Sequence, residues 1–488
     1  MSEPVNQPGS ETPPAAECLE TARNERGGMR EPPRWRTALA LLGMGIAVLL
    51  AGDAIERQRS ARQPWANGIL IPEGELEIED ALSIMTRRAP HDAAVSIADR
   101  IEQRFGTVAQ DPVLRDALER LRENEARAEY VVFAPIPRDM ERGLLSSGRF
   151  PEAGSPEVLA GTLARRDAFT LDGTTFRVVG RMDGYAAPFL FTYLLPDHEA
   201  FRPLFTAETG ATRGWMHPDG GRAPVEADDA SEEAGETDET KATVLGGVGL
   251  IEPMLSLMGI AGLACVACGG ALLLTRVWRA LHQRGVRCGT PIFEEIASRP
   301  RLWVALHMGL YALFFGAMLF GLARPLWSMT LTGLVAGIFM EGELAYIGQA
   351  YAAANIWQAA LATFHHNYVT ATLLFTLLAS VIVPGIGVIK TAASLALVGF
   401  VMTPLWTDTL GGYSYHCVTM VLEFEAYILA CFAVCVYFVC FFRGMSGGAF
   451  LAQMARGVGA MLGAALWSGL LLACAAGYEA ATLILFRF

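Results

Sequence analysis

The feature that most constrains this chain is a near absence of charge across its second half. Residues 244–488 hold 9 acidic and 11 basic side chains in 245 positions. A water-soluble helical domain of that size needs far more, since roughly 25% of an ordinary soluble chain is charged. Over all 488 residues the charged fraction is only 18% and the hydrophobic fraction 52%. The sequence therefore predicts a helical membrane domain behind a more polar N-terminal half.

The formal net charge of −12 has an address. Residues 53–243 contain 35 acidic and 22 basic residues, a balance of −13, so the rest of the chain is nearly neutral. An acidic domain flanked by apolar spans excludes a nucleic-acid partner, which requires a basic footprint. None of the nine cysteines falls in 53–243, so no disulfide holds that domain. Cys265 and Cys268 form a C-x-x-C spacing, but inside an apolar span beside Gly269 and Gly270. That setting favours small-residue helix packing over redox or zinc chemistry.

Read in order, residues 1–34 lack any apolar period and predict a disordered cytoplasmic tail. Residues 35–52 contain the apolar run Thr37–Ala51, taken as an uncleaved first transmembrane helix rather than a signal peptide. Residues 53–208 read as an extracytoplasmic α+β domain. Helical spacing occurs at His91–Phe105 and Val113–Leu121, and strand-like runs at Tyr130–Ile136, Phe176–Met182 and Phe189–Leu195. Asp172-Gly173 is one of several turn signals between them. Residues 209–243 are Gly-, Pro- and acid-rich and predict a flexible linker.

Residues 244–275 are expected to form the second transmembrane helix and 276–301 a basic cytoplasmic loop. The helical membrane domain then occupies 302–488. Within it, Leu302–Leu322, Asn367–Val383, Thr391–Leu405, His416–Phe442 and Val458–Leu485 bring the count to about seven spans. Arg324–Phe364 is less apolar and reads as amphipathic or partly re-entrant helix. Arginines before the first span, in 276–301 and at Arg443 and Arg456 place those segments inside. The N-terminus is then cytoplasmic and residues 53–243 lie outside a bacterial inner membrane.

Ionisable residues inside spans are costly and are candidates for function by default. His365, His366, Lys390, His416, Glu423 and Glu425 qualify, with the amide Asn367 beside them. Seven helical positions advance about 700°, so Glu423 lies nearly beneath His416, roughly 10 Å deeper. Glu425 points about 200° away from Glu423, so the two are not a catalytic carboxylate pair. His365, His366, Asn367, His416 and Glu423 form a candidate intramembrane polar cluster. It could bind an ion, a proton or a lipid head group, or it could fix the bundle by interhelical hydrogen bonds. Lys390 is expected to snorkel at a helix end.

No H-E-x-x-H, G-x-S-x-G or G-x-x-x-x-G-K-[ST] motif occurs. No enzyme activity, cofactor or metal is implied, and any ATP-driven role needs a separate ATPase chain. Arg276, Arg279, Arg284 and Arg287 are a candidate docking surface for such a partner, although any positive-inside loop looks alike.

Two resemblances bear on function. Leu144–Pro151 continuing through Ser155-Pro156-Glu157-Val158-Leu159, followed by Gly173–Gly180, resembles a segment of the periplasmic domain of MacB/FtsX-like ABC permeases. That likeness covers roughly residues 37–275 and implies an external domain moving with the spans, driven by a partner ATPase. Phe364–Ala371, Pro384–Gly387 and Leu422–Ile428 resemble the stage II sporulation protein M family over about residues 302–442. Asn367 and Glu423 fall at positions where that family carries polar residues. His366 and Thr419 depart from its pattern. Together these imply either a permease-like subunit working with an ABC ATPase in transport or envelope remodelling, or a non-transporting envelope scaffold that recruits a cell-wall or secretion partner. A homodimer is compatible with both.

Overall fold

A computed structural model describes residues 34–60, 69–72, 82–89, 130–134, 145–161, 166–182, 192–216, 242–245, 251–286, 290–340, 344–406, 409–447 and 449–486, with a few single positions besides, less positions 162, 163 and 165. Five helices among them are long and apolar enough to cross a membrane: Trp35–Gln58, Pro253–Gln283, Pro300–Ala323, Thr409–Gly447 and Phe450–Leu485. They mark the chain as membrane-embedded, with a β-sheet domain between the first two.

The sheet joins ten strands: β1 (Ile69–Pro72), β2 (Leu82–Arg88), β3 (Tyr130–Ala134), β4 (Leu145–Gly148), β5 (Glu157–Ala160), β6 (Ala168–Leu171), β7 (Thr174–Met182), β8 (Tyr193–Pro196), β9 (Thr212–Met216) and β10 (Ala242–Leu245). Their spatial order is β10-β1-β9-β2-β3-β8-β5-β7-β4, with β6 folded onto β7. β3 is buried at all five positions, as a central strand covered on both faces must be. Its Phe133 stacks on Phe205 at 4.8 Å, and Phe169, Phe176, Tyr193 and Phe201 complete an aromatic core. The β6–β7 hairpin turns through Asp172 and Gly173, both at positive φ, the geometry that tight hairpins demand.

Three boundaries differ from the sequence expectation. The linker expected over 209–243 starts too early, because β9 lies within the sheet between β1 and β2. Its far end is also wrong: Val244 and Leu245 belong to β10, paired antiparallel with β1. Trp215-Met216 ending β9 and Val244-Leu245 ending β10 are short apolar pairs that the acidic average of the segment hides. The expected helices His91–Phe105 and Val113–Leu121 lie almost wholly outside the described residues.

Helices α1 (Arg34–Ser60) and α2 (Pro253–Gln283) flank the sheet. α1 runs past the expected end at 52 because Asp53 pairs with Arg57 at 3.0 Å and Glu56 is buried in the bundle. α2 begins at a proline, which suits a first helical turn, and not at residue 244. The two helices meet on glycine. A Cβ on Gly45 would stand 2.5 Å from the Gly262 carbonyl oxygen, and one on Gly269 would stand 2.8 Å from that of Ala38. Small residues permit this backbone approach, as helix association in lipid requires.

The stretch expected as the loop 276–301 is largely helical. α2 continues to Gln283, Gly285 at φ +66 closes it, and α3 (Thr290–Ser298) follows. Next come α4 (Pro300–Ala323), α5 (Pro325–Met340), α6 (Ala345–Ala352) and α7 (Ile356–Phe364). α7 runs into a π-helical stretch, His365–Leu378, and a closing α-turn, Ala379–Ile382. Pro384-Gly385, with Gly385 at φ +84, reverses the chain into α8 (Ile386–Val401). α9 (Thr409–Gly447) and α10 (Phe450–Phe486) complete the bundle, with α9 the most enclosed helix. Of the expected seven spans, the fourth and fifth are thus the arms of one helical hairpin. At 16 residues α8 is about 24 Å long, short of a hydrocarbon core of about 30 Å.

Two predictions follow from this packing. Gly45→Ala places its Cβ 2.5 Å from the Gly262 carbonyl oxygen and drives α1 from α2, whereas the Cβ of Gly43→Ala meets nothing within 4 Å. The first should lose about 1–3 kcal/mol and the second should lose none, read from thermal unfolding in detergent. In the sheet domain, Arg149 grips Glu157 with two hydrogen bonds of 2.6 and 2.9 Å, and Arg87 donates to Asp172 at 2.9 Å. These guanidinium bonds hold both carboxyls below their ordinary range. A depressed folded value stabilises above the unfolded value and is lost as pH falls through the folded one. Melting of the sheet, followed by circular dichroism, should lose these contributions only below about pH 4, and Arg149→Gln should shrink that acid loss.

Candidate functional site

The candidate cluster resolves around one contact. The Asn367 amide donates to Glu423 Oε1 at 2.6 Å, joining the π-helical stretch to α9. Asn367 lies in the first turn of that stretch, where backbone bonding shifts to i+5 and widens the helix. Thr372 and Thr376 follow the same register, donating to the carbonyls of Asn367 and Ala371 five residues back.

The other three expected members do not join. His365 is exposed, and His366 and His416 are half-buried. None of the three side chains makes a hydrogen bond or ion pair with the described residues. Consecutive helical positions lie about 100° apart, so His365 and His366 do not share the face of Asn367, and His416 lies two turns back along α9. His366 instead has His365 and Lys390 as electrostatic neighbours. Lys390, the fifth residue of α8, is half-buried about one turn from the Pro384-Gly385 reversal, with His366 and Cys431 as electrostatic neighbours.

In their place stands Glu479 of α10, an electrostatic neighbour of Glu423. Tyr351 of α6 and Tyr427 of α9 share the same surroundings, and Tyr351 shares a hydrogen bond with Thr363 at 3.1 Å. Neither glutamate makes an ion pair among the described residues. Two like charges held together in a poorly solvated site repel, and a shared proton or a bound cation relieves them. No set of three or more His, Cys, Asp or Glu among the described residues could hold a metal ion. Glu479 was visible in the sequence as an acid inside the last span.

Glu425 does point away from Glu423, and it too has a partner. His307 of α4 places Nε2 at 3.0 Å from Glu425 Oε1 and 3.2 Å from Oε2. Sequence reasoning missed His307, although a histidine inside Leu302–Leu322 is itself a signal.

At one end of the bundle, buried Glu295 of α3 pairs with both Arg299 and Arg456, fastening α3 to α10. Arg276 is half-buried, and Arg279 and Arg284 are exposed. These three make no ion pair among the described residues, and Arg287 lies outside them. α2 is about 46 Å long, so its arginine-bearing end extends beyond a single hydrocarbon thickness. Comparison with protein-family models, with curated proteins and with solved structures finds no match for this chain.

The Asn367–Glu423 bond is testable by itself. Asn367→Leu leaves a carboxylate oxygen facing carbon and should lose about 1–3 kcal/mol. Glu423→Gln keeps an acceptor for the amide and should cost little. Thermal unfolding of the two single variants and the double variant measures the coupling.

Proposed function

We propose that this chain is a permease-like subunit of a bacterial inner membrane, working with a separate ABC ATPase in transport or envelope remodelling. The observation that carries the reading is the path from bundle to sheet. α1 and α2 lie backbone to backbone on glycine. The strands nearest them in the chain, β1 and β10, pair with each other over four residues at one side of the sheet. A displacement of the helix pair therefore reaches the sheet domain through hydrogen-bonded strands. The resemblances to MacB/FtsX-like permeases and to the stage II sporulation protein M family are part of this proposal, as are the outer location of the sheet and the absence of enzyme chemistry in the chain.

Arg276, Arg279 and Arg284 are the residues assigned to ATPase docking, since no carboxylate among the described residues occupies them. Reversing all three to Glu should abolish co-purification of an ATPase from membranes of the native host, with the bundle still folded by thermal unfolding. Retention of the ATPase by the reversed chain overturns the docking assignment. An envelope scaffold is the second reading, favoured by β4 at the rim of the described sheet with Ser146, Ser147 and Gly148 exposed. It expects a cell-envelope protein, and no ATPase, to accompany the intact chain.

A further inference from the structure

The His307–Glu425 contact lies outside the Asn367–Glu423 cluster, and the proposed subunit role does not use it. Its hydrogen bonds fix a count of protons. His307 Nδ1 is 2.8 Å from the carbonyl oxygen of Trp303, one turn earlier in α4. A carbonyl only accepts, so Nδ1 carries a hydrogen. Nε2 then faces both oxygens of Glu425. Without a hydrogen on either side, a nitrogen lone pair would oppose an ionised carboxylate in a site where Glu425 is fully buried and His307 is 8% exposed. Burial of that arrangement is prohibitively unfavourable. One proton between Nε2 and the carboxylate removes the conflict and leaves the pair without net charge, whether it rests on nitrogen or on oxygen.

The surroundings seal the pair. Tyr311 donates to Glu425 Oε1 at 3.4 Å, and the Trp303 ring stands edge-on to the imidazole at 4.4 Å. Phe432 and Phe424 close the sides through Trp303 and Tyr311. Among the described residues no arginine or lysine pairs with Glu425. From α2, Cys268 is the ionisable neighbour of Tyr311. From α8, Lys390 reaches Cys431, farther along α9, and from α10 Glu479 belongs with Glu423. The Trp303 indole also donates to Thr275 of α2 at 2.9 Å, directly before Arg276.

We propose that His307 and Glu425 form a buried binding site for a single proton, and that this proton fastens α4 to α9 and, through Trp303, to the arginine-bearing end of α2. The site is independent of ATPase docking, so either can fail without the other.

The test uses the full chain in lipid nanodiscs with 15N-labelled histidine, near neutral pH, with His307→Gln identifying the resonances. Infrared difference spectra between the parent chain and Glu425→Gln report the carboxyl group. A protonated Nε2 on His307 supports the proposal, and so does a protonated-carboxyl band that vanishes in Glu425→Gln. In either case the bonded proton should exchange with water at least roughly tenfold more slowly than that of exposed His365. An ionised Glu425 opposite a neutral His307 that lacks hydrogen at Nε2 overturns the proposal. So does a His307 that titrates identically in the parent chain and in Glu425→Gln. Should either variant fail to fold, His307→Asn or Glu425→Met supplies the same comparison.

Discussion

A glutamate carried into a membrane bundle must be met by a donor, and α9 carries two of them two positions apart. Their separation of about 200° around the helix sends them to opposite neighbours. Glu423 is met by Asn367 from the π-helical stretch, and Glu425 by His307 from α4. One helix thus fixes the position of two others through its most costly residues. α10 joins on the same helix by less expensive means, with Ser468 donating to the Ala426 carbonyl at 2.8 Å. Glu295, held by Arg299 and Arg456, repeats the principle at the bundle's end. Each acid is a constraint on register as well as on distance, because a helix sliding by one turn would strand the charge.

The remaining contacts are made by atoms that are missing. Gly399 lets the Phe314 carbonyl approach α8, Gly469 receives the ring of Tyr368, and Gly45 with Gly262 brings α1 onto α2. Hydrocarbon gives apolar side chains little reason to prefer one another over lipid, so close backbone approach and polar contacts decide which helices touch. The sheet domain obeys the opposite rule. There, water drives Phe133, Phe176, Tyr193 and Phe205 together, and the arginine-carboxylate pairs remain at the surface.

Much of this was legible in the sequence. Charge depletion marked the membrane half, the runs at Tyr130 and Phe176 became β3 and β7, and the run Phe189–Leu195 overlaps β8. The Asp172-Gly173 turn and the Asn367–Glu423 pair were also visible. What escaped has definite physical causes. β9 and β10 flank an acidic stretch whose average composition masks two short strands completed by partners more than a hundred residues away. The π-helical register could not be anticipated from a period of 3.6, and His365 and His366 were grouped with Asn367 only because they adjoin it in sequence. His307 and Glu479 were each a single polar residue in a long apolar run, and only the packing of α4 and α10 against α9 shows what they serve.

The hairpin that turns at Pro384-Gly385 has one short arm, the 16 residues of α8. Ile382 is 79% exposed and Ile389 67%, so its tip is greasy. Such a tip is better covered by acyl chains than by water. Longer acyl chains would bury it more deeply and shorter ones would bring it level with the head groups. α9 and α10, at about 58 and 55 Å, protrude whichever lipid surrounds them. Bilayer thickness would then act first on the turn that joins α8 to the arm holding Asn367.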